Sequence, residues 1–363
     1  MGMGFDTLTA RKGTNADLRV FSPFEAIETQ NRNSLLTLLD GGTRILIADP
    51  SLHVNVVHLI SDQFSSLSQN RRPNIDVQWA NETPNICQPY LGIDFSSAHT
   101  MAGVSMIESS INGLRLNYAS DECRDVSVDL NLGYYAVSAA AGSAATEDVG
   151  VFGFGSAFSF DLAENTSAKL YSNLGLLDGS IRRRIMNNTL DSGFEYGTGA
   201  FNGWFVNSGT LIETDLVRSD YSLTPYAAAE LGFAKTSRFS EMDTSFGLDI
   251  NEHSSFRYRV ATGVEATSTP FQWNDNAFVQ FSGSVSTLYS ERIDTSTISS
   301  SLANEAQPLI ESGPYSELSV DLGAKIQFWS DNRNSKAEFQ FLHRNSNRNS
   351  SSNSISGSFA LVF

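Results

Sequence analysis

From residue 86 onward, apolar and polar residues alternate with a period of two over segments longer than most globular strands. One such segment runs from Val126 to Ala136, a second from Leu318 to Phe328 and a third from Ile355 to Phe363. Because successive side chains of a strand point to opposite faces, this period predicts strands with one apolar face. The 24 Phe, 11 Tyr and 27 Gly residues favour strands and turns in the same way.

The alternating segments are about 9–15 residues long, whereas globular strands are most often ~5–6 residues. A tilted strand needs ~9–11 residues to cross a bilayer. Counted back from the C-terminus, the predicted strands lie at 353–363, 335–343, 315–329, 275–289, 254–268, 220–234, 194–206, 167–177, 148–160, 125–137, 113–119, and at either 102–109 or 89–97. The total is twelve strands, or fourteen if 89–97 and 243–250 both count.

The connections between these strands alternate in length. Those predicted to be long are 178–193, 235–253 and 290–313, and those predicted to be short are 161–166, 269–274 and 330–333. Long outer loops and short inner turns are typical of membrane barrels. The link 207–219 departs from the pattern, because it should be short. The predicted fold class is therefore all-β, a twelve-stranded antiparallel transmembrane β-barrel over residues 86–363.

Residues 1–85 form a separate region with mixed signals. Within it, Val54, Val57, Ile60, Phe64 and Leu67 recur every three or four residues. This spacing is the helical period and predicts an amphipathic helix at 51–68. A helix of this kind could lie in the lumen of the barrel or could belong to a small domain at the N-terminal side.

Charge and motifs exclude several classes of function. The formal net charge is −16, which excludes nucleic acid as an electrostatic partner, because phosphate binding needs a basic face. The five histidines (His53, His58, His99, His253 and His343) have no metal-ligand spacing, and no Gly-x-Ser-x-Gly motif is present. Gly153-x-Gly155 and Gly197-x-Gly199 lie inside strand patterns, where glycine marks bulges or close packing. We therefore expect no enzymatic activity, no cofactor and no metal.

The barrel prediction assigns positions to particular side chains. Residues at the polar positions of two alternating segments should face the lumen; they are Asp129, Asn131, Asp321, Lys325 and Gln327. Three tryptophans fall near one predicted end of the strands and form a candidate interfacial aromatic girdle: Trp204, Trp273 and Trp329.

Two further features leave alternatives open. The run Arg182-Arg183-Arg184 lies in a predicted outer loop. It could contact lipopolysaccharide phosphates or a chain in the pore mouth, or it could be a solvated charge run. Cys87 and Cys123 could form a disulfide near one end of the barrel, in an oxidising compartment, or could stay apart.

Four stretches make the sequence resemble the C-terminal translocator barrel of autotransporters, the type V secretion family. They are Leu223-Thr224-Pro225-Tyr226-Ala227-Ala228, the strand from Phe256 to Val264, the strand from Tyr315 to Phe328, and the C-terminal strand from Ile355 to Phe363. The resemblance extends over about 86–363. Two features differ from the family pattern: the two cysteines and the long 207–219 link.

The resemblance implies a function and a location. In this family the last strand ends on an aromatic residue that the barrel assembly machinery reads, and the matching positions here are Ile355, Phe359, Leu361 and Phe363. The barrel would lie in the outer membrane of a Gram-negative bacterium, in contact with lipid and lipopolysaccharide. Residues 1–85 would then be the tail of a passenger plus a linker, and the passenger would reach the cell surface through the barrel.

Two other functions are compatible with the same sequence. The first is a stand-alone outer-membrane porin or adhesin, with residues 1–85 as a plug or periplasmic appendage. The second is a soluble extracellular β-sandwich adhesin, which would need no lipid-facing apolar band.

Overall fold

The structure is a computed structural model in which all regular elements of the described residues are β-strands. It describes residues 19–21, 35–40, 43–47, 89–102, 107–120, 126–141, 145–187, 190–217, 221–244, 248–274, 277–295, 297–300, 308–311, 315–330, 335–347 and 350–362. Within these ranges, no helix has the length and apolarity needed to cross a membrane. The predicted helix at 51–68, together with Cys87, Cys123 and Phe363, lies outside the described residues.

Twelve long strands form the wall of the molecule. They are β1 (Tyr90–Ala102), β2 (Ile107–Ala119), β3 (Val126–Ala141), β4 (Ala145–Ala163), β5 (Thr166–Asn187), β6 (Phe194–Thr214), β7 (Tyr221–Thr236), β8 (His253–Ser268), β9 (Ala277–Thr295), β10 (Tyr315–Ser330), β11 (Ser335–Ser346) and β12 (Ser350–Val362). Each strand pairs antiparallel with the next along the chain.

The wall closes on itself between its last and first strands. β12 pairs antiparallel with β1, from Ser350 opposite Ala102 to Val362 opposite Tyr90. A sheet closed in this way has no free edge along its wall. The prediction of an all-β, twelve-stranded antiparallel barrel is confirmed, and the two-sheet sandwich is wrong.

The structure settles the number of wall strands. Tyr90–Ala102 corresponds to the predicted strand at 89–97, so the alternative at 102–109 is wrong. The segment 243–250 adds no strand to the wall. Its strand Leu248–Ile250 pairs instead with Phe239–Ser240 and Thr297–Ser300.

The two ends of the barrel have different connections. The chain enters β1 and leaves β12 at one end, where residues 164–165 join β4 to β5 and residues 331–334 join β10 to β11. We call this the short-turn end. The opposite, long-loop end carries the connections from β7 to β8 and from β9 to β10.

Two of the predicted connections are wrong because the strands are longer than their alternation suggests. β5 continues to Asn187 and β6 begins at Phe194, so most of the predicted loop 178–193 is strand. β6 likewise continues to Thr214, and Leu216–Val217 pairs with β7. The described part of the link 207–219 is therefore strand except at Asp215.

Short strands extend the long-loop end. Phe239–Ser240, Leu248–Ile250, Thr297–Ser300 and Pro308–Glu311 form a separate four-stranded sheet. Before the barrel, Leu35–Asp40 pairs with Arg19–Phe21 and with Thr43–Ile47. Thr43–Ile47 in turn joins the far end of β5, with Ile45 opposite Asn187 and Ile47 opposite Ile185.

Side chains alternate between the two faces of the wall as a barrel requires. Large apolar residues remain exposed on the outward face, among them Leu114, Tyr134, Phe152, Leu176, Leu231, Leu322 and Phe359. Polar and charged residues are buried on the inward face, among them Arg115, Asn173, Glu230, Arg257 and Gln327. An apolar outer band around a polar interior is the arrangement of outer-membrane barrels.

Candidate functional site

The lumen is crossed by ion pairs between strands that are not neighbours in the wall. Lys169 on β5 lies 3.3 Å from Asp129 on β3, and Lys325 on β10 lies 2.9 Å from Glu265 on β8. Only side chains that point into a shared interior can meet in this way. The interior nearer the short-turn end is therefore a network of charged and hydrogen-bonded groups.

The five residues predicted for the lumen lie on inward positions of β3 and β10. Asp129 and Lys325 form the pairs just described. Gln327 donates a hydrogen bond from Nε2 to Glu338 at 2.6 Å, and Asp321 accepts bonds from Arg344 at 2.7 and 2.8 Å. Asn131 lies beside Gly155, so close that a Cβ there would be 2.5 Å from its amide nitrogen.

Four arginines gather on the inward face of β8, β9 and β11; we call this set the arginine wall: Arg257, Arg259, Arg292 and Arg344. Arg257 is near enough to the other three to interact with them electrostatically. Glu230 on β7 forms an ion pair with Arg259, with Nε 3.2 Å from its carboxylate, and accepts a hydrogen bond from the Tyr171 hydroxyl at 2.9 Å. Asp321 pairs with Arg344.

An apolar patch lies on the opposite side of the lumen. Ala98, Ile111, Val137, Val149 and Phe201 are buried on the inward face of β1, β2, β3, β4 and β6. They belong to one continuous rung of paired positions, completed by Gly179 on β5. Together with Tyr135, Val151 and Leu177, which are buried beside them, they form what we call the apolar wall.

At the long-loop end, the interior holds a buried cluster that we call the rim core: Ile181, Arg183, Phe201, Phe239 and Glu241. The side chains of Arg183 and Glu241 are both 0% exposed. Arg183 donates from Nε to Glu241 Oε1 at 2.8 Å and also pairs through its NH2 group. The rings of Phe201 and Phe239 stack with centroids 5.6 Å apart.

This arrangement corrects the prediction that Arg182-Arg183-Arg184 lies in an outer loop. All three residues belong to β5, and strand alternation separates them. Arg183 points inward to Glu241. Arg182 and Arg184 lie on the other face. Arg182 Cζ is 3.8 Å from the centroid of the Tyr196 ring, and Arg184 Cζ is 4.4 Å from the centroid of the Phe194 ring.

The C-terminal strand closes the barrel. Ile355, Phe359 and Leu361 all lie exposed on its outward face, and Phe363 follows the last described residue. Gly357, between Ile355 and Phe359, leaves room for a ring from β1. A Cβ at Gly357 would be 2.1 Å from Phe95 Cζ, so this ring can lie across the seam only because position 357 has no side chain.

The three predicted girdle tryptophans do not share one level. Trp329 is near the end of β10 and pairs with Lys336, and Trp273 lies in the short strand Phe271–Asn274, so both are at the short-turn end. Trp204 pairs with Lys235, next to the last residue of β7 at the opposite end. The predicted common level is wrong for Trp204, because β6 runs on to Thr214.

Sequence reasoning missed the arginine wall and the rim core for different reasons. The strand from Phe256 to Val264 already places Arg257 and Arg259 in one phase with Ala261, so its period carried a usable signal. Glu241 lies 58 residues from Arg183 and follows a predicted strand end. Nothing local in the sequence connects that pair.

No protein-family model matches the sequence, and no curated protein matches it. Solved structures do match. The translocator domain of the autotransporter NalP from Neisseria meningitidis aligns with a TM-score of 0.62 at 13% identity, over 87% of this chain and 100% of that one. The β domain of the Bordetella autotransporter BrkA aligns with a TM-score of 0.54 at 12% identity, over 76% of this chain and 100% of that one. The chain has the fold of autotransporter translocator domains, as the sequence predicts.

Proposed function

We propose that this chain is the translocator barrel of an autotransporter in the outer membrane of a Gram-negative bacterium. It would let a covalently linked N-terminal passenger reach the cell surface. One observation carries the proposal. Thr43–Ile47 pairs with β5 at the long-loop end, whereas β1 begins with Tyr90 at the short-turn end. The chain between these strands must pass from one end of the barrel to the other.

The orientation of the barrel makes this crossing meaningful. Outer-membrane barrels keep their short turns on the periplasmic side and their longer loops outside. In that orientation the chain enters and leaves the barrel on the periplasmic side, and Thr43–Ile47 lies outside the cell. Everything before residue 47 is then on the surface side, which is where a passenger belongs.

The lumen is the favoured path for the connecting segment 48–88. An irregular chain exposed to lipid would leave backbone groups without hydrogen-bond partners. Twelve strands spaced ~4.8 Å apart and tilted ~40° give a backbone diameter of about 24 Å, and ~6 Å of side chain on each side leaves about 12 Å. An α-helix has a diameter of ~10–12 Å, so the candidate helix 51–68 fits.

Burial inside the barrel supports an occupied lumen. A gap of about 12 Å filled with water would leave inward side chains exposed. Instead Tyr135 on β3 and Leu211 on β6 are only 1% and 3% exposed. Twelve strands enclose more space than their own side chains fill, so part of this cover would come from the connecting segment.

The remaining parts of the proposal follow from the outer surface and the sequence. The outward apolar band would contact lipid and lipopolysaccharide, and the strand ending in Leu361 and Phe363 would be read by the barrel assembly machinery. The sequence contains no Gly-Lys pair of a phosphate-binding loop. Export would then draw on passenger folding outside the cell, and the barrel would act without a cofactor and without catalysis.

Surface accessibility tests the proposal. We would place one epitope tag before residue 5 and, in a separate variant, the same tag in the turn 331–334. On intact cells, antibody and protease should reach the N-terminal tag, and the turn tag should become accessible only after permeabilisation. Retained heat-modifiable gel mobility would show that both variants fold.

The porin alternative predicts a different outcome. A plug or periplasmic appendage would leave the N-terminal tag inaccessible on intact cells. That result, in a correctly folded barrel, would overturn the translocator proposal and favour the porin.

A further inference from the structure

The outward face of the barrel changes from apolar to polar between two neighbouring strands, β10 and β11. On β10, every outward position from Leu318 to Phe328 is apolar. On β11, the outward apolar residues end at Phe341, and the next outward residue is His343. His343 pairs with Leu322 of β10, so a polar side chain lies beside an apolar one at the same position of the wall.

The apolar face of β11 ends well short of the apolar face of β10. Phe341 pairs with Ala324, which is six residues from Leu318. With ~3.3 Å per residue and a strand tilt of ~40°, the apolar face of β11 ends about 12 Å nearer the short-turn end. That is about half of the ~25 Å apolar band of an outer-membrane barrel. A tilt of the whole barrel changes heights gradually around the wall, so it does not explain a step between neighbours.

The polar surface continues across the seam between β12 and β1. His343 pairs with Asn353 on β12, and Asn353 pairs with His99 on β1. One outward position nearer the short-turn end, Ser97 on β1 pairs with Asn112 on β2. His343 is half-buried and the other four are exposed. We call this set the polar notch: Ser97, His99, Asn112, His343 and Asn353.

Several hydrogen-bonding groups of the polar notch have no partner in the described part of the chain. Ser97 donates to Asn112 Oδ1 at 2.8 Å, and His343 Nδ1 lies 2.8 Å from Asn353 Oδ1. The amide NH2 groups of Asn112 and Asn353 and the ring of His99 form no hydrogen bond with a described residue. Polar groups exposed to hydrocarbon without a partner are unfavourable. The polar notch therefore fits an occupant that offers hydrogen-bond acceptors.

Other outward polar residues bond to each other instead. The hydroxyls of Ser172 and Ser208 are 2.9 Å apart, and those of Thr262 and Thr287 are 3.2 Å apart. Each pair joins neighbouring strands, and on β5 the outward face is apolar again at Leu176, nearer the long-loop end. These pairs satisfy themselves within the apolar band, and the polar notch does not.

The position of the polar notch indicates which lipid meets it. It lies in the half of the wall nearer the long-loop end, which faces the cell surface in an outer-membrane barrel. The outer leaflet there consists of lipopolysaccharide, whose lipid A head group carries phosphates and sugar hydroxyls. Among the described residues of β11, β12, β1 and β2, only Glu108 places a carboxylate on the outward face, four residues beyond Asn112 toward the surface. Repulsion of a phosphate by the polar notch itself is therefore absent.

We propose that the polar notch binds the head group of a lipopolysaccharide molecule. Phosphate and hydroxyl oxygens of the head group accept hydrogen bonds from Asn112, Asn353 and His99. The head group lies closer to the middle of the membrane here than beside β10, so the outer leaflet is thinner along the seam. The bound lipid bridges the first and last strands of the wall. This inference goes beyond the translocator role and depends only on the location and orientation of the barrel in the outer membrane.

Thermal unfolding of the full-length protein in vesicles tests the site. The vesicles contain phosphatidylcholine alone, phosphatidylcholine with deep-rough lipopolysaccharide, or phosphatidylcholine with the same mole fraction of phosphatidylglycerol. Midpoints are read from heat-modifiable gel mobility. The notch variant carries His99→Leu and Asn353→Leu. The matched control carries Thr262→Leu and Thr287→Leu, which also replace two outward polar residues on paired strands.

Lipopolysaccharide should raise the midpoints of the unaltered protein and of the control by similar amounts, and the notch variant should lose most of this rise. In phosphatidylcholine alone, the notch variant should be at least as stable as the unaltered protein, because leucine is favoured on the lipid face. That result would also show that the variant folds. An equal rise in the notch variant and the control would overturn the site. An equal rise with phosphatidylglycerol in the unaltered protein would overturn the assignment to lipopolysaccharide.

Discussion

The rim core and the lumen nearer the short-turn end, which we call the lower lumen, are built from the same twelve strands, yet their interiors differ. In the rim core, the paired side chains of Arg183 and Glu241 are 0% exposed and lie beside stacked phenylalanines. In the lower lumen, the Lys169–Asp129 pair is 13% and 23% exposed. The long-loop end is packed like the interior of a soluble protein, whereas the short-turn half contains ion pairs that keep part of their exposure to solvent.

The difference follows from what surrounds each region. Within the membrane, apolar side chains are favoured on the lipid face, as with Leu170, Leu174 and Leu176 on β5. Beyond the membrane, water surrounds the outer face, and burial on the inner face becomes favourable. On the same strand, Leu177 and Ile181 point inward and are buried. Along β5, the large aliphatic side chains therefore change from the outward face of the wall to the inward face.

The largest expected effect is at the buried ion pair of the rim core. Glu241→Gln should lower the free energy of unfolding by about 3–5 kcal/mol, because it leaves the Arg183 guanidinium buried without a charge partner. Urea unfolding in detergent would measure it. The double variant Arg183→Met with Glu241→Leu should recover most of the loss. A small effect of Glu241→Gln would show that water reaches the rim core.

An intermediate effect is expected where the rim core leaves no space. A Cβ at Gly199 would be 2.6 Å from the Phe239 ring, so Gly199→Ala should destabilise by about 1–3 kcal/mol through overpacking. The matched control is Gly283→Ala on β9, where the nearest atom is 3.9 Å away. There the change should be neutral or stabilising by about 0.4–1 kcal/mol. Thermal midpoints from heat-modifiable gel mobility would compare the two, and equal midpoints would contradict a close-packed rim.

The smallest effect is expected in the lower lumen. Lys169→Met removes a partly solvated pair and should cost less than about 1 kcal/mol, with a stability difference that shrinks further as salt rises. Urea unfolding at two ionic strengths checks it, and Lys336→Met, at a pair 3.1 Å from Glu338, should behave alike. A loss as large as that of Glu241→Gln would erase the distinction between the two regions.

Much of the fold could be predicted from the sequence because the lipid face imposes a strict period. The strands containing Leu318 to Phe328 and Ile355 to Phe363 were recognisable in this way. The long-loop ends of β5 and β6 were not recognisable. Between Leu176 and Leu177 the apolar residues change from the outward to the inward face, so the alternation is lost although the strand pairing continues.

The candidate site was only partly predictable. The period of two predicted that Asp129 and Lys325 lie on the lumen-facing side of their strands, and the structure places both in ion pairs inside the barrel. Their partners, and the pair of Arg183 with Glu241, depend on contacts between distant segments that no local pattern specifies. The predicted level of Trp204 was wrong for the same reason as the predicted loop 178–193, because both predictions depended on where a strand ends.

The attachment of Thr43–Ile47 to β5 has a mechanical consequence. Under the proposed function, fluid drag on whatever lies beyond residue 43 is transmitted to the barrel through this strand. Only three register pairs join it to β5, from Ile45 to Ile47, whereas thirteen join β12 to β1. Tension at the cell surface should therefore peel the short strand away and extend the following segment, so that the strain is dissipated before it reaches the wall.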